Sequence, residues 1–195
     1  RNQLISRAPH IERPRKPDPK EGYLTRKEVA ALIDAANASH VQLAINLMIG
    51  TGARSAAALE LTWDRVDFGR GMIQLRNPFD RTPRKGRATV PMNDTLRAAL
   101  QHAREGALTP YVIEWGGSPV KSIKKGIKTA GAAIGRPDAS PHMLRHSRAM
   151  HLYRAGMPLA LLTEWLGHAD PDAAVPPVGR RRGHGCRDQG SISCS

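Results

Sequence analysis

Cysteine is nearly absent from this chain of 195 residues: the only two, Cys186 and Cys194, stand in its last ten positions. A protein not built around disulfides is typical of a reducing compartment, and we expect a cytoplasmic location. Long hydrophobic runs are missing too. The longest, 41–49, is interrupted by Gln42 and Asn46 and is far shorter than the roughly 20 residues of a membrane span. The chain begins without an apolar segment, so we expect no secretory signal.

Signatures of two common enzyme classes are also missing. The sequence has no G-x-S-x-G motif, which argues against a serine hydrolase of the usual kind. His142 and His146 have the i, i+4 spacing that can hold one metal ion, but no glutamate accompanies them as in H-E-x-x-H and no third ligand is evident. His184 and Cys186 are neighbours in a segment without regular pattern. We therefore predict no metal site and no cofactor.

The chain is strongly basic. It carries 30 Lys+Arg against 17 Asp+Glu, a formal net charge of +13. Such an excess favours polyanions, above all nucleic acid, because binding phosphates releases counterions. A generic basic soluble protein is the alternative, and charge alone does not separate the two. Hydrophobic residues make up 40% and charged residues 24%, which is typical of one globular domain with a real core.

Composition divides the chain into three parts. Residues 1–20 alternate prolines with charged side chains, which favours extended backbone, and we interpret them as an interdomain linker. Residues 21–174 carry the periodic hydrophobic pattern of a folded domain. Residues 175–195 lose that periodicity and most apolar side chains, so we predict an aberrant or disordered tail.

Hydrophobic spacing predicts a mainly α fold with a small antiparallel β-sheet, an α+β domain. Thr25 and Glu28 have the spacing of a capping box, and Ser140-Pro141 is a strong helix start. Helices are predicted over about 25–36, 40–50, 55–61, 93–104, 119–134, 140–156 and 158–166, and strands over 72–75, 88–91 and 111–115.

Five basic side chains are candidates for handling phosphate. Arg54 follows a break between two predicted helices, and a guanidinium at a helix N-terminus suits phosphate; a plain surface arginine is the alternative. His142 and Arg145 share a helix face, where proton transfer beside anion binding suits phosphoryl transfer; incidental polar residues are the alternative. Lys85 lies in a predicted loop and, taken alone, would be interpreted as a solvated lysine. His168 lies at a predicted helix end and, taken alone, would be interpreted as a partner of the helix dipole.

Four motifs follow one another along residues 21–174. Thr51-Gly52-Ala53-Arg54 leads into residues 59–67, Lys85 precedes Val90-Pro91, residues 142–146 contain H-x-x-R, and residues 166–168 are Leu-Gly-His. In this order they resemble the catalytic domain of the tyrosine recombinases, the phage integrase family. The resemblance implies that family's fold, and a core-binding domain ahead of the linker that this sequence does not contain.

The resemblance also implies roles for the candidate residues. Arg54 and Arg145 would bind the non-bridging oxygens of a scissile DNA phosphate, and His142 and His168 would assist by hydrogen bonding and proton transfer. Lys85 would be the general acid for the departing 5′-hydroxyl. The implied function is DNA strand cleavage and rejoining in site-specific recombination, the integration or excision of a phage or mobile element, through a 3′-phosphotyrosyl intermediate.

The nucleophilic tyrosine is not at its expected place. In the family it follows the Leu-Gly-His histidine by about nine residues, which here is Pro177, and no tyrosine follows Tyr153. Three explanations stay open: a frameshift near the codons for residues 172–175, a natural loss of activity, or a tyrosine donated by a partner subunit. We expect this chain alone to be catalytically incompetent.

The expected partner is double-stranded DNA, with self-association into a tetramer on it, in the cytoplasm of a bacterial or phage-host cell. We expect neither a membrane nor a small-molecule substrate. The main alternative is a non-catalytic DNA-binding protein, a recombinase relic with a regulatory role. A basic helical scaffold with neither function is a third interpretation.

Overall fold

The computed structural model describes residues 22–76 and 88–166. The helices are α1 (Arg26–Asp34), α2 (Ser39–Thr51), α3 (Ser55–Leu59), a 3₁₀ turn (Trp63–Arg65), α4 (Asp94–Glu105), α5 (Lys124–Ala133), α6 (Pro141–Arg154) and α7 (Leu159–Leu166). The strands are β1 (Val66–Asp67), β2 (Met72–Gln74), β3 (Thr89–Pro91), β4 (Glu114–Trp115) and β5 (Ser118–Pro119). The predicted α+β class, mainly helical with small antiparallel sheets, is confirmed.

Helix α2 lies at the centre of the domain. It contacts α1, α3, α4, α5 and α6, so its side chains are buried on several faces. Ala44, Ile45, Leu47 and Met48 have no measurable exposure. Because a helix covered on several sides needs apolar residues around most of its circumference, α2 lacks the one-sided pattern of a surface helix. The core around α2 fixes the position of α6, which carries much of the site described below.

The start of α1 has the capping box that the sequence predicts. The Thr25 side chain accepts from the Glu28 backbone N–H, and the Glu28 carboxylate accepts from the Thr25 backbone N–H. The residue before this cap joins the chain to α6: the Leu24 N–H donates to the buried Ser147 Oγ over 2.7 Å. Helix α6 begins as predicted, with Ser140 as the cap and Pro141 in the first turn.

The larger sheet is antiparallel, in the order β1–β2–β3, with Ile73 opposite both Val66 and Val90. These three side chains are buried, and they form the face of the sheet that packs on the core. The segment between β2 and β3 contains Lys85, which lies outside the described residues.

The prediction of a strand at 111–115 followed by a helix from 119 is wrong in detail. Tyr111 makes only an isolated bridge to Thr62, and the strand is reduced to β4. Gly116 and Gly117 have φ values of 57° and 72°, so they form a two-residue turn that pairs β4 with β5. The following helix therefore begins only at Lys124.

Helices α6 and α7 enclose a smaller apolar cluster of Ala149, Leu162 and Leu166. This packing places the end of α7 against the α2–α3 turn. Among the described residues no helix is long and apolar enough to cross a membrane. The predicted linker, 1–20, and tail, 175–195, lie outside the described residues, so the domain boundaries stay predictions.

Candidate phosphate-binding site

The turn between α2 and α3 presents Arg54. Helix α2 ends at Thr51 and is capped by Gly52, whose φ of 74° lies in the left-handed region that glycine adopts most easily. The Thr51 hydroxyl stabilises the turn, since it donates to the Leu47 carbonyl over 2.6 Å and accepts from the Ala53 N–H over 3.1 Å. Arg54 then has extended backbone geometry and occupies the N-cap of α3. The residue therefore stands at the start of a helix, and the predicted binding of phosphate by its guanidinium stays a prediction.

Arg145 connects three parts of the fold. Its side chain reaches from α6 into the core, and the residue is only 5% exposed. One terminal nitrogen donates to the Gly52 carbonyl over 2.6 Å, and the other donates to the Leu166 carbonyl over 2.5 Å. The guanidinium is therefore held between the end of α2 and the end of α7. A planar group fixed at two points keeps one orientation, which suits recognition of an oxyanion.

Burial and a neighbouring cation act together on Arg145. Loss of solvation and, to a smaller degree, the positive charge of Arg54 together lower its pKa to about 10. The guanidinium still carries its charge at neutral pH. The fold thus holds two positive charges near each other. These charges repel, and a bound anion would reduce that repulsion.

The end of α7 is joined to the same turn by Trp165. The indole N–H donates to the Thr51 carbonyl oxygen over 2.8 Å. The Arg148 guanidinium carbon lies 5.7 Å from the centre of the indole ring, a cation–π distance. This places Leu166, the residue two before His168, beside Gly52 and Arg145. His168 itself lies outside the described residues.

The histidines of α6 differ in their surroundings. His142 is exposed near the start of the helix, one turn from the buried Arg145. His146 is half-buried, and its pKa is lowered by burial and, to a smaller degree, by the charge of His142. In residues 22–76 and 88–166, no three His, Cys, Asp or Glu side chains lie close enough together to hold a metal ion.

The structure therefore brings together part of the predicted set. Arg145 is bonded to Gly52 in the α2–α3 turn, close enough to Arg54 to be affected by its charge, and His142 lies on the same helix as Arg145. Lys85, His168 and Pro177 fall outside the described residues, so their places in the site stay predictions.

Sequence reasoning missed two supporting residues, Thr51 and Trp165. Thr51 stands at the start of the first motif, and Trp165 directly precedes the Leu-Gly-His motif. Their positions in or beside a motif are the signal in the sequence that could have identified them. Neither residue type suggests chemistry by itself, because their contribution is a hydrogen bond between segments 114 positions apart.

Comparison with known proteins agrees with the motifs. The family model described as the phage integrase family matches residues 22–175. The chain is 33% identical over 184 residues to tyrosine recombinase XerC of Rhizobium meliloti (strain 1021), covering 82% of this chain and 54% of that protein. It is 27% identical over 177 residues to tyrosine recombinase XerA of Pyrococcus furiosus, covering 85% of this chain and 60% of that protein. The chain thus spans little more than half the length of these relatives.

Solved structures show the same fold. A crystal structure of XerA recombinase superposes with a TM-score of 0.69 at 23% identity, covering 83% of this chain and 60% of that one. A lambda integrase dimer bound to a COC′ core site gives a TM-score of 0.62 at 20% identity, covering 89% of this chain and 51% of that one.

Proposed function

The chain belongs to the phage integrase family, and on this premise we propose that its Arg54–Arg145 site holds a scissile phosphate of double-stranded DNA during site-specific recombination. The proposed reaction is strand cleavage and rejoining, as expected for integration or excision of a phage or mobile element. The similar protein from R. meliloti is named a tyrosine recombinase, which supports this proposal.

The anchoring of Arg145 is the observation that supports this proposal most strongly. A buried arginine bonded to two backbone carbonyls, Gly52 and Leu166, cannot turn away from the α2–α3 turn without losing both bonds. Arg54 adds a second guanidinium at that turn. Fixed cationic donors stabilise the extra negative charge that a phosphate develops on its equatorial oxygens when it is attacked.

The remaining roles follow from chemistry and from the family resemblance. Arg54 and Arg145 bind the non-bridging oxygens, and His142 and His168 donate hydrogen bonds or move protons there. A tyrosine oxygen bonds to phosphorus and its proton passes to one of these histidines, while the bond from phosphorus to the 5′-oxygen breaks and Lys85 protonates that oxygen. We assign the acid role to Lys85 rather than Arg84 because a lysine gives up its proton more readily. Cationic side chains provide the charge stabilisation that metal ions provide in many phosphoryl transferases.

The tyrosine must come from elsewhere if this chain is to cleave DNA. No tyrosine follows Tyr153, and Pro177 occupies the expected position. We propose that the chain alone forms no covalent DNA adduct, and that cleavage within a tetramer on DNA requires a subunit of different sequence to supply the nucleophile, because a second copy of this chain lacks that tyrosine too. The second candidate function, a non-catalytic DNA-binding protein, is favoured by the same missing tyrosine.

Duplex binding across a range of salt concentrations tests the phosphate site. Fluorescence anisotropy of the full chain with labelled duplex gives the slope of log K against log salt, about −0.9 for each phosphate contact. We expect Arg54→Gln to reduce that slope by about one contact, and Arg145→Lys to weaken binding although it keeps the charge. Arg104→Gln, an exposed arginine on α4, is the matched control and should leave the slope nearly unchanged. Equal effects of Arg54→Gln and Arg104→Gln would show only general electrostatic attraction.

A covalent trap separates the two candidate functions. The full chain is incubated with a pool of nicked duplexes of random sequence and analysed on a denaturing gel, where we expect no adduct. Replacing residues 167–195 with the corresponding segment of R. meliloti XerC should give an adduct if the catalytic interpretation is right. The same chimaera with its nucleophilic tyrosine changed to phenylalanine is the control. A chimaera that binds duplex but never forms an adduct supports the non-catalytic alternative.

A further inference from the structure

Helix α6 carries a row of basic side chains that extends beyond the candidate site. Every third residue from 142 to 154 is a histidine or an arginine, namely His142, Arg145, Arg148, His151 and Arg154. Residues three apart form a ridge that winds obliquely across a helix surface. The first two belong to the site already described, and Arg148 stacks on Trp165. The last two, at the far end of the helix, have no role in the proposed strand exchange.

The far end of this row opens into a notch with a volume of about 250 Å³. It lies between the start of α1 and the last turn of α6, and its walls combine basic, hydroxyl and aromatic side chains. The lining residues are Tyr23, Thr25, Arg26, His151, Arg154 and Ala155.

Contacts with the chain before α1 hold the notch in shape. His151 Nε2 lies 2.8 Å from the Leu24 carbonyl oxygen. Because a carbonyl oxygen only accepts hydrogen bonds, Nε2 carries the proton and Nδ1 is the nitrogen that can gain one. The Tyr23 ring meets the His151 ring edge-on at 6.2 Å between centroids, and the Arg154 guanidinium carbon lies 4.8 Å from the Tyr23 ring centre.

Positive charge is concentrated around His151. Burial lowers the pKa of its imidazole most, the bond to Leu24 opposes this, and the charges of Arg26, Arg148 and Arg154 lower it further. Within the part of the chain that the structure describes, no carboxylate forms an ion pair with these three arginines. The Glu28 carboxylate, one turn along α1, is already bonded to Thr25 and to Arg136.

We propose that the notch between Arg26, His151 and Arg154 is a second phosphate-binding site, separate from the Arg54–Arg145 site. Two exposed guanidinium groups, one on α1 and one on α6, would bind the phosphate, and the His151 imidazole would donate a further hydrogen bond once Nδ1 gains a proton. The Thr25 hydroxyl already donates to the Glu28 carboxylate and lines the notch without donating to the phosphate. The existence of the site stands apart from the proposed strand exchange. Only the identification of its phosphate as part of a DNA backbone rests on that function.

The length of α6 is compatible with a DNA source. Nine residues separate Arg145 from Arg154, which is about 14 Å along a helix axis. That distance corresponds to about four steps of 3.4 Å along one DNA strand. A duplex bound at Arg145 and lying along α6 would therefore place another of its phosphates at the notch.

Histidine-selective NMR of the full chain with inorganic phosphate tests the site itself. We expect phosphate to shift the His151 imidazole signals saturably and to raise the His151 pKa, since a nearby anion favours the protonated ring. Arg154→Gln and Arg26→Gln should each weaken this response by about tenfold. Lys27→Gln removes the same charge from the neighbouring position, which does not line the notch, and should leave the response intact. A response absent from the native chain, or reduced equally by all three changes, would overturn the proposal.

Competition with duplex DNA identifies the source of the phosphate. If a short duplex displaces inorganic phosphate from the notch, and Arg154→Gln lowers the salt slope of duplex binding by about one contact while Lys27→Gln does not, the ligand is a backbone phosphate. If inorganic phosphate binds but the duplex does not displace it, the notch is still a phosphate-binding site, and its ligand is a small phosphorylated molecule. A reduced salt slope of duplex binding in Arg54→Gln, with an unchanged His151 response to phosphate, would support the notch as a site separate from Arg54–Arg145, so the two sites are tested separately.

Discussion

Trp165 donates its indole N–H to the Thr51 carbonyl oxygen over 2.8 Å, joining the end of α7 to the end of α2. Thr51 is 1% exposed, so water cannot easily replace the indole as a partner for its carbonyl. The bond lies one residue from both carbonyls that hold Arg145, those of Gly52 and Leu166. The orientation of Arg145, which we propose binds phosphate, therefore depends on a tryptophan that makes no described hydrogen bond to Arg145 itself.

Changing Trp165→Phe should destabilise the fold by about 1–3 kcal/mol, because it leaves a buried carbonyl without a donor. The free energy of unfolding, measured by urea denaturation, checks this. Trp115→Phe is the matched control, since Trp115 is 63% exposed, and it should change stability by less than about 0.5 kcal/mol. Equal stability of the two variants would show that the indole bond does not matter.

Gly52→Ala is expected to be more destabilising than Gly71→Ala. Both glycines have positive φ, 74° and 66°, so both variants incur backbone strain of about 1–2 kcal/mol. Only at Gly52 does an added Cβ collide, approaching Leu166 Cδ2 to 2.8 Å, whereas nothing lies within 4 Å at Gly71. The difference between the two unfolding free energies therefore isolates that collision.

A second change at Leu166 checks the cause of this difference. Gly52→Ala combined with Leu166→Ala should recover the collision energy, so the two substitutions should couple in a double-mutant cycle. Strict additivity would mean that α7 does not pack on the turn as described.

The fold was predictable where a local signal fixes an element. The Thr25–Glu28 capping box and the Ser140-Pro141 start both mark real helices, because each bond lies within one turn. Strand β1 has two residues, too few for an alternating pattern to show. The turn at Gly116-Gly117 redirects the chain so that Pro119 pairs with Glu114 instead of starting a helix.

The site was predictable as a set of residues and not as a geometry. Motif order identified Arg54, His142 and Arg145 as candidates. The burial of Arg145 depends on carbonyls 93 and 21 positions away, which only the packing of α6 on α2 and α7 brings together. The notch at the far end of α6 was missed for the same reason, since Tyr23 and Arg154 meet only in the folded chain.

Stability should fall between pH 7.5 and pH 5. Burial lowers the pKa of His40, His146 and His151, so the folded chain takes up these protons less readily than the unfolded chain, whose histidines titrate near 6.5. The effect vanishes above about pH 7.5, where the histidines are neutral in both states, and grows as the pH falls through the unfolded value near 6.5 toward the lowered values. Urea denaturation at several pH values measures the slope.

His146→Gln should make this decline shallower, because one of the three half-buried histidines no longer titrates. Trp165→Phe, which carries no titrating group, is the control and should lower stability by a similar amount at each pH. A His146→Gln variant with the native pH slope would show that His146 is as well solvated in the folded chain as in the unfolded one.

Ser147→Ala is expected to loosen the segment before α1 from α6. Ser147 is fully buried; its hydroxyl accepts from the Leu24 N–H and donates to the Met143 carbonyl, each over 2.7 Å. Removing it leaves the Leu24 N–H buried without an acceptor, which costs about 1–3 kcal/mol. Ser118→Ala, in an exposed strand, should cost less than about 0.5 kcal/mol.

Hydrogen exchange separates this effect from general destabilisation. The Leu24 carbonyl also accepts a hydrogen bond from His151 Nε2, which lines the notch. The Leu24 backbone therefore joins the segment before α1 to α6 at two points. We expect Ser147→Ala to speed exchange of the Leu24 amide more than that of buried amides in α2, because the lost bond is local. Uniform acceleration across α2 and Leu24 would instead mean that the serine stabilises the whole domain and has no particular role in holding the notch.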